Sequence, residues 1–247
     1  MSDFNRGSPG RAATADMAVD AGLRAFMLGV YNKVGLGLVL SGALAWLTSH
    51  EPVVNYLYNI SADGRLVGIQ PLGLVLTFAP IVVILGAGFL MRSATPQNSG
   101  ALYWTIVSLI GASMGTILLR YTGESVATTF FVTAAAFGGL SLFGYTTKRD
   151  LSAFGSFLIV GLIGLVIAMV VNMFLHSGPI AFIISILGVL IFAGLIAYDT
   201  QRLKMTYYNL GGDQQGMAVA TNFGALSLYL DFINLFQFLL SIFGSRR

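Results

Sequence analysis

The chain has 247 residues, of which 56% are hydrophobic and only 9% charged, with a formal net charge of +3. Ordinary soluble domains carry about 25% Asp, Glu, Lys and Arg, so a water-soluble fold is excluded, and the small basic surplus gives a nucleic-acid partner no support. Cysteine is absent, which removes disulfides, thiolate metal sites, iron–sulfur clusters and cysteine nucleophiles together.

Residues 1–24 mix Ser, Gly, Pro, Asp and Arg without an apolar core ahead of a small-residue cleavage site. They read as a flexible polar N-terminal tail rather than a signal peptide. Crossing about 30 Å of hydrocarbon takes roughly 20 apolar residues in a helix, and such runs are predicted at residues 25–48, 71–91, 101–119, 126–145, 154–175, 179–203 and 217–243. Helix is the expectation because backbone polar groups in lipid must be paired within the segment or in a closed barrel, and these runs lack the alternation of barrel strands. Residues 25–247 are thus expected to form one all-α domain of seven transmembrane helices embedded in the lipid bilayer. Residues 51–70 are the one sizeable external loop expected. Close helix approach is expected at small residues such as Gly111 and Gly115 or Gly161 and Gly164.

Basic residues set the orientation. With the N-terminus cytoplasmic, that side holds Arg6, Arg11, Arg24, Lys33, Arg92, Lys148, Arg149, Arg202 and Lys204, leaving Arg65, Arg120, Arg246 and Arg247 opposite. This asymmetry predicts the N-terminus inside. Six spans with a re-entrant last segment satisfy the same count.

Charge inside the apolar runs is the functional signal. Asp231 lies in the last run, where a carboxylate costs at least about 2.5 to 3.5 kcal/mol unless compensated. On a helical wheel Ser227, Asp231, Asn234, Gln237 and Ser241 share an arc of about 120°. The last helix therefore carries one polar stripe, which must face helices or water. Asp199 lies about 29 Å from the outer end of the sixth predicted helix at 1.5 Å per residue, near the cytoplasmic edge. The returning last helix carries Asp231 to a similar depth, and Arg92 closes the second helix on that side. Asp199 can instead pair with Arg202 one turn on, and Arg92 can be an ordinary inside-positive anchor.

Three stretches carry a resemblance: Gly139-Leu-Ser-Leu-Phe-Gly-Tyr-Thr-Thr-Lys-Arg-Asp-Leu-Ser152, Ile196-Ala-Tyr-Asp-Thr-Gln-Arg-Leu203 and Leu226-Ser-Leu-Tyr-Leu-Asp-Phe-Ile-Asn-Leu-Phe236. From about Tyr31 to Gly244 the chain resembles the Bax inhibitor-1 family, also called the transmembrane Bax inhibitor motif family. The resemblance implies a seven-helix bundle with the last helix at its centre and, in bacterial members, a pH-sensitive calcium leak controlled by two aspartates. Those aspartates correspond to Asp199 and Asp231, and the arginine that latches the closed state to Arg92. The chain departs from short bacterial members in its longer tail, its longer first loop and extra residues between Leu203 and Met217. It ends Gly244-Ser245-Arg246-Arg247 rather than in the lysine-rich tail of eukaryotic relatives, which favours a bacterial inner membrane.

The leading expectation is a passive leak needing no cofactor, with calcium as the permeant ion. Two carboxylates within a few ångströms of each other cannot both ionise cheaply in a dry site, so they share a proton and titrate as a pair. Acid favours the proton-sharing closed arrangement; at higher pH both ionise, repel and open the constriction. A tight calcium cage takes six to eight oxygens, so Asp199 and Asp231 are expected to bind calcium weakly and transiently, with Ser227, Asn234 and Gln237 as polar pore lining. Two other readings stand beside it: a non-conducting regulatory protein that binds a membrane protease or other partner, and a proton-coupled transporter using Asp231. Enzymatic readings are disfavoured, because His50 and His176 fall at helix ends without metal-binding spacing and no phosphate-binding glycine loop is present.

Overall fold

Hydrocarbon forces a chain to satisfy its own backbone, and the computed structural model is 84% helix. It describes residues 9–62, 66–90 and 93–247. In chain order the elements are α1 (Pro9–Thr48), α2 (Val54–Leu57), β1 (Tyr58–Ile60), β2 (Leu66–Ile69), α3 (Pro71–Leu90), α4 (Pro96–Ser113), α5 (Gly115–Arg120), α6 (Gly123–Thr146), α7 (Ser152–Leu175), α8 (Gly178–Leu210) and α9 (Gln214–Phe243). Among the described residues six helical stretches are long and apolar enough to cross a membrane: Ala21–Thr48, Pro96–Arg120, Gly123–Thr146, Ser152–Leu175, Gly178–Leu210 and Gln214–Phe243. In α3 the apolar stretch that qualifies is shorter, Pro71–Ala87.

Several boundaries differ from those predicted. Helix α1 begins at Pro9, inside the segment assigned to a polar tail, and Leu23 already packs in the core at 1% exposure. The third predicted helix is two pieces that meet at Met114. The predicted external loop folds into α2 and an antiparallel β1–β2 pair, with Tyr58 opposite Ile69. The largest change is in α8, predicted to end at Leu203 and observed to run to Leu210. The added turns, Lys204 to Leu210, contain no Gly or Pro, so helix continues where hydropathy falls. What ends it is Gly211 and Gly212, at φ 56° and 95°, a left-handed backbone that glycine adopts without a Cβ clash. Asp213 then caps α9, its carboxylate accepting from the Gln215 amide at 3.0 Å.

This tight turn makes α8 and α9 an antiparallel hairpin in one register. Midway along the hairpin Ser227 meets Asp199, and towards the far end the Ser185 hydroxyl donates to Ser241 Oγ at 3.1 Å. Helix α9 also packs against α1, α4 and α6, burying Leu228, Tyr229, Phe232, Leu235, Phe236 and Leu240. Beyond its C-terminus the chain is tied to the α5–α6 junction: the Thr122 amide donates to Ser245 O and the Arg247 amide to Arg120 O, each at 3.0 Å. α9 is therefore one unbroken helix from the α8 turn to the opposite end of the bundle. Gly111 and Gly115, in the α4–α5 segment, face α1, where a Cβ would run into Ser41 and Thr48. Among the expected close approaches this pair brings helices together; Gly164 meets nothing within 4 Å.

Candidate functional site

The site is built on the α8–α9 hairpin. On α9, Ser227 and Asp231 are one turn apart and face α8, as side chains at i and i+4 do. Asp199, on α8, sits opposite them. Both aspartates are 6% exposed. The Ser227 hydroxyl donates to Asp199 Oδ2. Asp199 Oδ1 lies 3.7 Å from the Arg202 guanidinium, which is 53% exposed. The Asp199 carboxyl is in turn the hydrogen-bonding and Coulombic neighbour of Asp231, with Arg202 as the nearby cation. Asp231 Oδ2 is buried and has no hydrogen-bond partner among the described residues. Buried carboxylate oxygens are normally paired, so one position here is open for a proton.

A membrane bundle with this carboxyl pair at the hairpin has known relatives. The family model described as "Inhibitor of apoptosis-promoting Bax1" matches residues 23–247. The chain belongs to the Bax inhibitor-1 family. Among its relatives, an uncharacterized protein of Caulobacter vibrioides is 68% identical over 249 residues, covering 100% of both chains. An uncharacterized protein of Rickettsia prowazekii is 42% identical, covering 92% of each. YbhL of Escherichia coli, named an inner membrane protein, is 39% identical over 92% of this chain and 94% of its own. This Bax inhibitor-1 family chain is accordingly a multi-pass membrane protein.

The other residues singled out in the sequence fall in different places. Arg92 lies outside the described residues. The alternative pairing of Asp199 with Arg202 is present, and it coexists with the approach to Asp231. Asn234 and Gln237 do not join the carboxyl cluster. With Asn172, Ser185 and Ser241 they line a separate cavity of about 360 Å³ between α7, α8 and α9. There Asn234 Nδ2 donates to Leu230 O in its own helix at 2.8 Å, and Gln237 is exposed. His50 and His176 are both exposed. Among the described residues no three His, Asp or Glu side chains gather as metal ligands would.

A second polar seam corrects the expectation of one polar stripe on α9. Asn222 accepts from Lys33 Nζ and donates to Ser99 Oγ at 2.8 Å and Pro96 O at 3.0 Å. Two turns on, Tyr229 Oη and Ser41 Oγ are 2.7 Å apart. The Lys33 ammonium lies 5.4 Å from the Tyr103 ring centroid, and Tyr103 Oη donates to Lys33 O at 2.6 Å. This seam joins α9 to α1 and α4 on the side away from Asp231. It escaped the sequence reading because Asn222 precedes the stretch placed on the wheel, and because tyrosine counts as apolar until its hydroxyl finds a partner.

Proposed function

We propose that this chain is a seven-helix protein of the bacterial inner membrane, N-terminus cytoplasmic and α9 at its centre, that passes calcium passively and closes when Asp199 and Asp231 share a proton. The observation that carries the reading is two carboxyls from neighbouring helices, each 6% exposed, facing one another with one oxygen of Asp231 unpartnered. Doubly ionised, such a pair repels in a medium that screens poorly. Singly protonated, it makes a short carboxyl–carboxylate bond that ties α8 to α9. Acid therefore favours the tied state, and rising pH removes the bridging proton and pushes the helices apart.

Ser227 and Arg202 both contact Asp199, and the oxygen left open for the shared proton belongs to Asp231. In this reading Arg92 latches the closed state, as the family resemblance implies, and the neutral cavity of Asn234 and Gln237 is the vestibule on the far side of the constriction. Calcium meets only two carboxylates, far from the six to eight oxygens of a storage site; binding this weak suits transit. The continuous crossing of α9 and its C-terminal tie to the α5–α6 junction favour seven spans over a re-entrant last segment.

Calcium flux into dye-loaded vesicles across a pH series tests the gate. Asp199→Asn and Asp231→Asn each abolish the pH response of flux. Wild-type pH dependence in both folded variants would refute the aspartate gate, whereas absence of flux in the parent protein would refute the leak itself.

A further inference from the structure

At the Asp199 end of the bundle, the α6–α7 connection lies against α8 and borders a half-open cavity of about 520 Å³. Lys148, Arg149, Arg202 and Lys204 line it. The loop is held in place rather than left free: Gln201 Oε1 accepts from the Leu151 amide at 2.8 Å and its Nε2 donates to Arg149 O at 2.7 Å. Lys204 is fixed as well, donating to Tyr145 O at 3.1 Å with its ammonium 5.5 Å from the Tyr145 ring centroid.

Among the lining residues the single carboxylate is Asp150, and it is already engaged. Its Oδ1 accepts from the Ser152 amide at 2.8 Å, ahead of the first turn of α7. Hydrogen bonds from the Ser152 side chain and amide hold the Asp150 carboxyl below its ordinary value of 3.8. Arg202 is shared with Asp199 at 3.7 Å. The remaining positive charge converges on one open cleft, which an inside-positive anchor does not require; an anchor needs only charge somewhere in the loop.

The surroundings say what kind of anion fits. On the helices that the loop joins, Leu142 and Phe143 of α6 and Phe154 and Phe157 of α7 are exposed, apolar side chains of the sort that face acyl chains. A ligand matching both halves carries a phosphate and hydrocarbon tails. Basic pockets between transmembrane helices hold lipid headgroups by this chemistry, and clustered Arg and Lys are suited to phosphate oxygens.

We infer that this cavity binds the phosphate of an anionic phospholipid from the leaflet at this end of the bundle, with Lys148 and Arg149 closing over it and Arg202 and Lys204 beneath. The site stands whether or not the protein conducts calcium.

Native mass spectrometry of the full chain in zwitterionic detergent, titrated with phosphatidylglycerol, phosphatidylcholine or inorganic phosphate, tests it. Phosphatidylglycerol is expected to stay bound, and phosphatidylcholine and inorganic phosphate are not. The double variant Lys148→Ala/Arg149→Ala should bind phosphatidylglycerol at least tenfold more weakly. Gln201→Ala, which unclamps the loop without removing charge, should weaken it severalfold. Arg120→Ala/Arg246→Ala, which removes as much charge at the opposite end, should leave it unchanged. Parental affinity in the double loop variant, equal retention of phosphatidylcholine, or an equal loss in the distant double variant would overturn the site. Displacement of the lipid by inorganic phosphate at comparable concentration would overturn the lipid assignment in favour of a free phosphate.

Discussion

Along one face of α9, Ser227 and Asp231 meet a buried carboxylate of α8, whereas Asn234, Gln237 and Ser241, further along the same helix, line an open cavity with Asn172 and Ser185. On a helical wheel these residues form one stripe. In the bundle they divide into an ionisable, closed cluster and a neutral, open one. The difference comes from what α8 presents: Asp199 midway along, and Ala181, Ile184 and Ser185 towards its start. A neutral amide or hydroxyl in a partly hydrated cavity is satisfied by its own helix or by water, as Asn234 is by Leu230 O. A carboxylate away from water requires a partner or a proton. In the proposed gate, the pH response is therefore assigned to the carboxyl cluster.

The largest effect expected from a single change short of neutralising an aspartate is at Ser227. Its hydroxyl donates to Asp199 Oδ2 and favours the ionised pair. Hydrogen bonds to charged groups contribute about 1.5 to 3 kcal/mol, and one pH unit corresponds to about 1.4 kcal/mol. Ser227→Ala should move the half-activation pH of calcium flux upward by about one unit, because the pair then gives up its proton less readily. The charges facing this pair among the described residues are Arg202 and the two aspartates themselves. A downward shift would show that Ser227 supports the protonated arrangement instead.

The open end should answer differently. Asn234→Ala with Gln237→Ala removes two neutral polar groups from the vestibule, each worth about 0.5 kcal/mol to a passing hydrated ion. Flux should fall about two- to fivefold at every pH, with the half-activation pH unmoved. A change in the pH midpoint larger than that of Ser227→Ala would reverse the assignment of gate and vestibule.

What the sequence made legible follows the same division. Apolar length announced the membrane helices, and depth counted from helix ends placed Asp199 and Asp231 at one level, because both arguments depend only on distance along a helix axis. Rotation about the axis was legible within α9, where the polar residues repeat at helical spacing, but not between helices. Nothing in the chain alone says that Asn222 meets Lys33 and Ser99, or that Gln201 clamps the α6–α7 loop, since those pairs are set by tertiary register. The end of α8 was misplaced for a local reason: hydropathy drops after Leu203, but helix-compatible residues continue to Leu210, and only Gly211 and Gly212 break them. In the expected external loop, residues 51–70, the strands are three and four residues long, too short for alternation to show.

A third carboxylate separates proximity from environment. Asp150 lies at the Asp199 end but is exposed, and hydrogen bonds from Ser152 keep its carboxyl below the ordinary value of 3.8. For a group depressed in the folded state, the stabilising interaction is fully present above 3.8 and is lost only as pH falls through the lower folded value. Across the neutral and mildly acidic range, Asp150 stays ionised and its bond to the Ser152 amide stays intact. Asp150→Asn is therefore expected to leave the half-activation pH of flux unchanged in zwitterionic vesicles, while the protection factor of the Ser152 amide, which in the parent falls as strong acid protonates Asp150, no longer shows that fall. If this substitution shifted the flux midpoint as far as Ser227→Ala, an exposed carboxylate would be setting the response, and burial of the Asp199–Asp231 pair would no longer explain it.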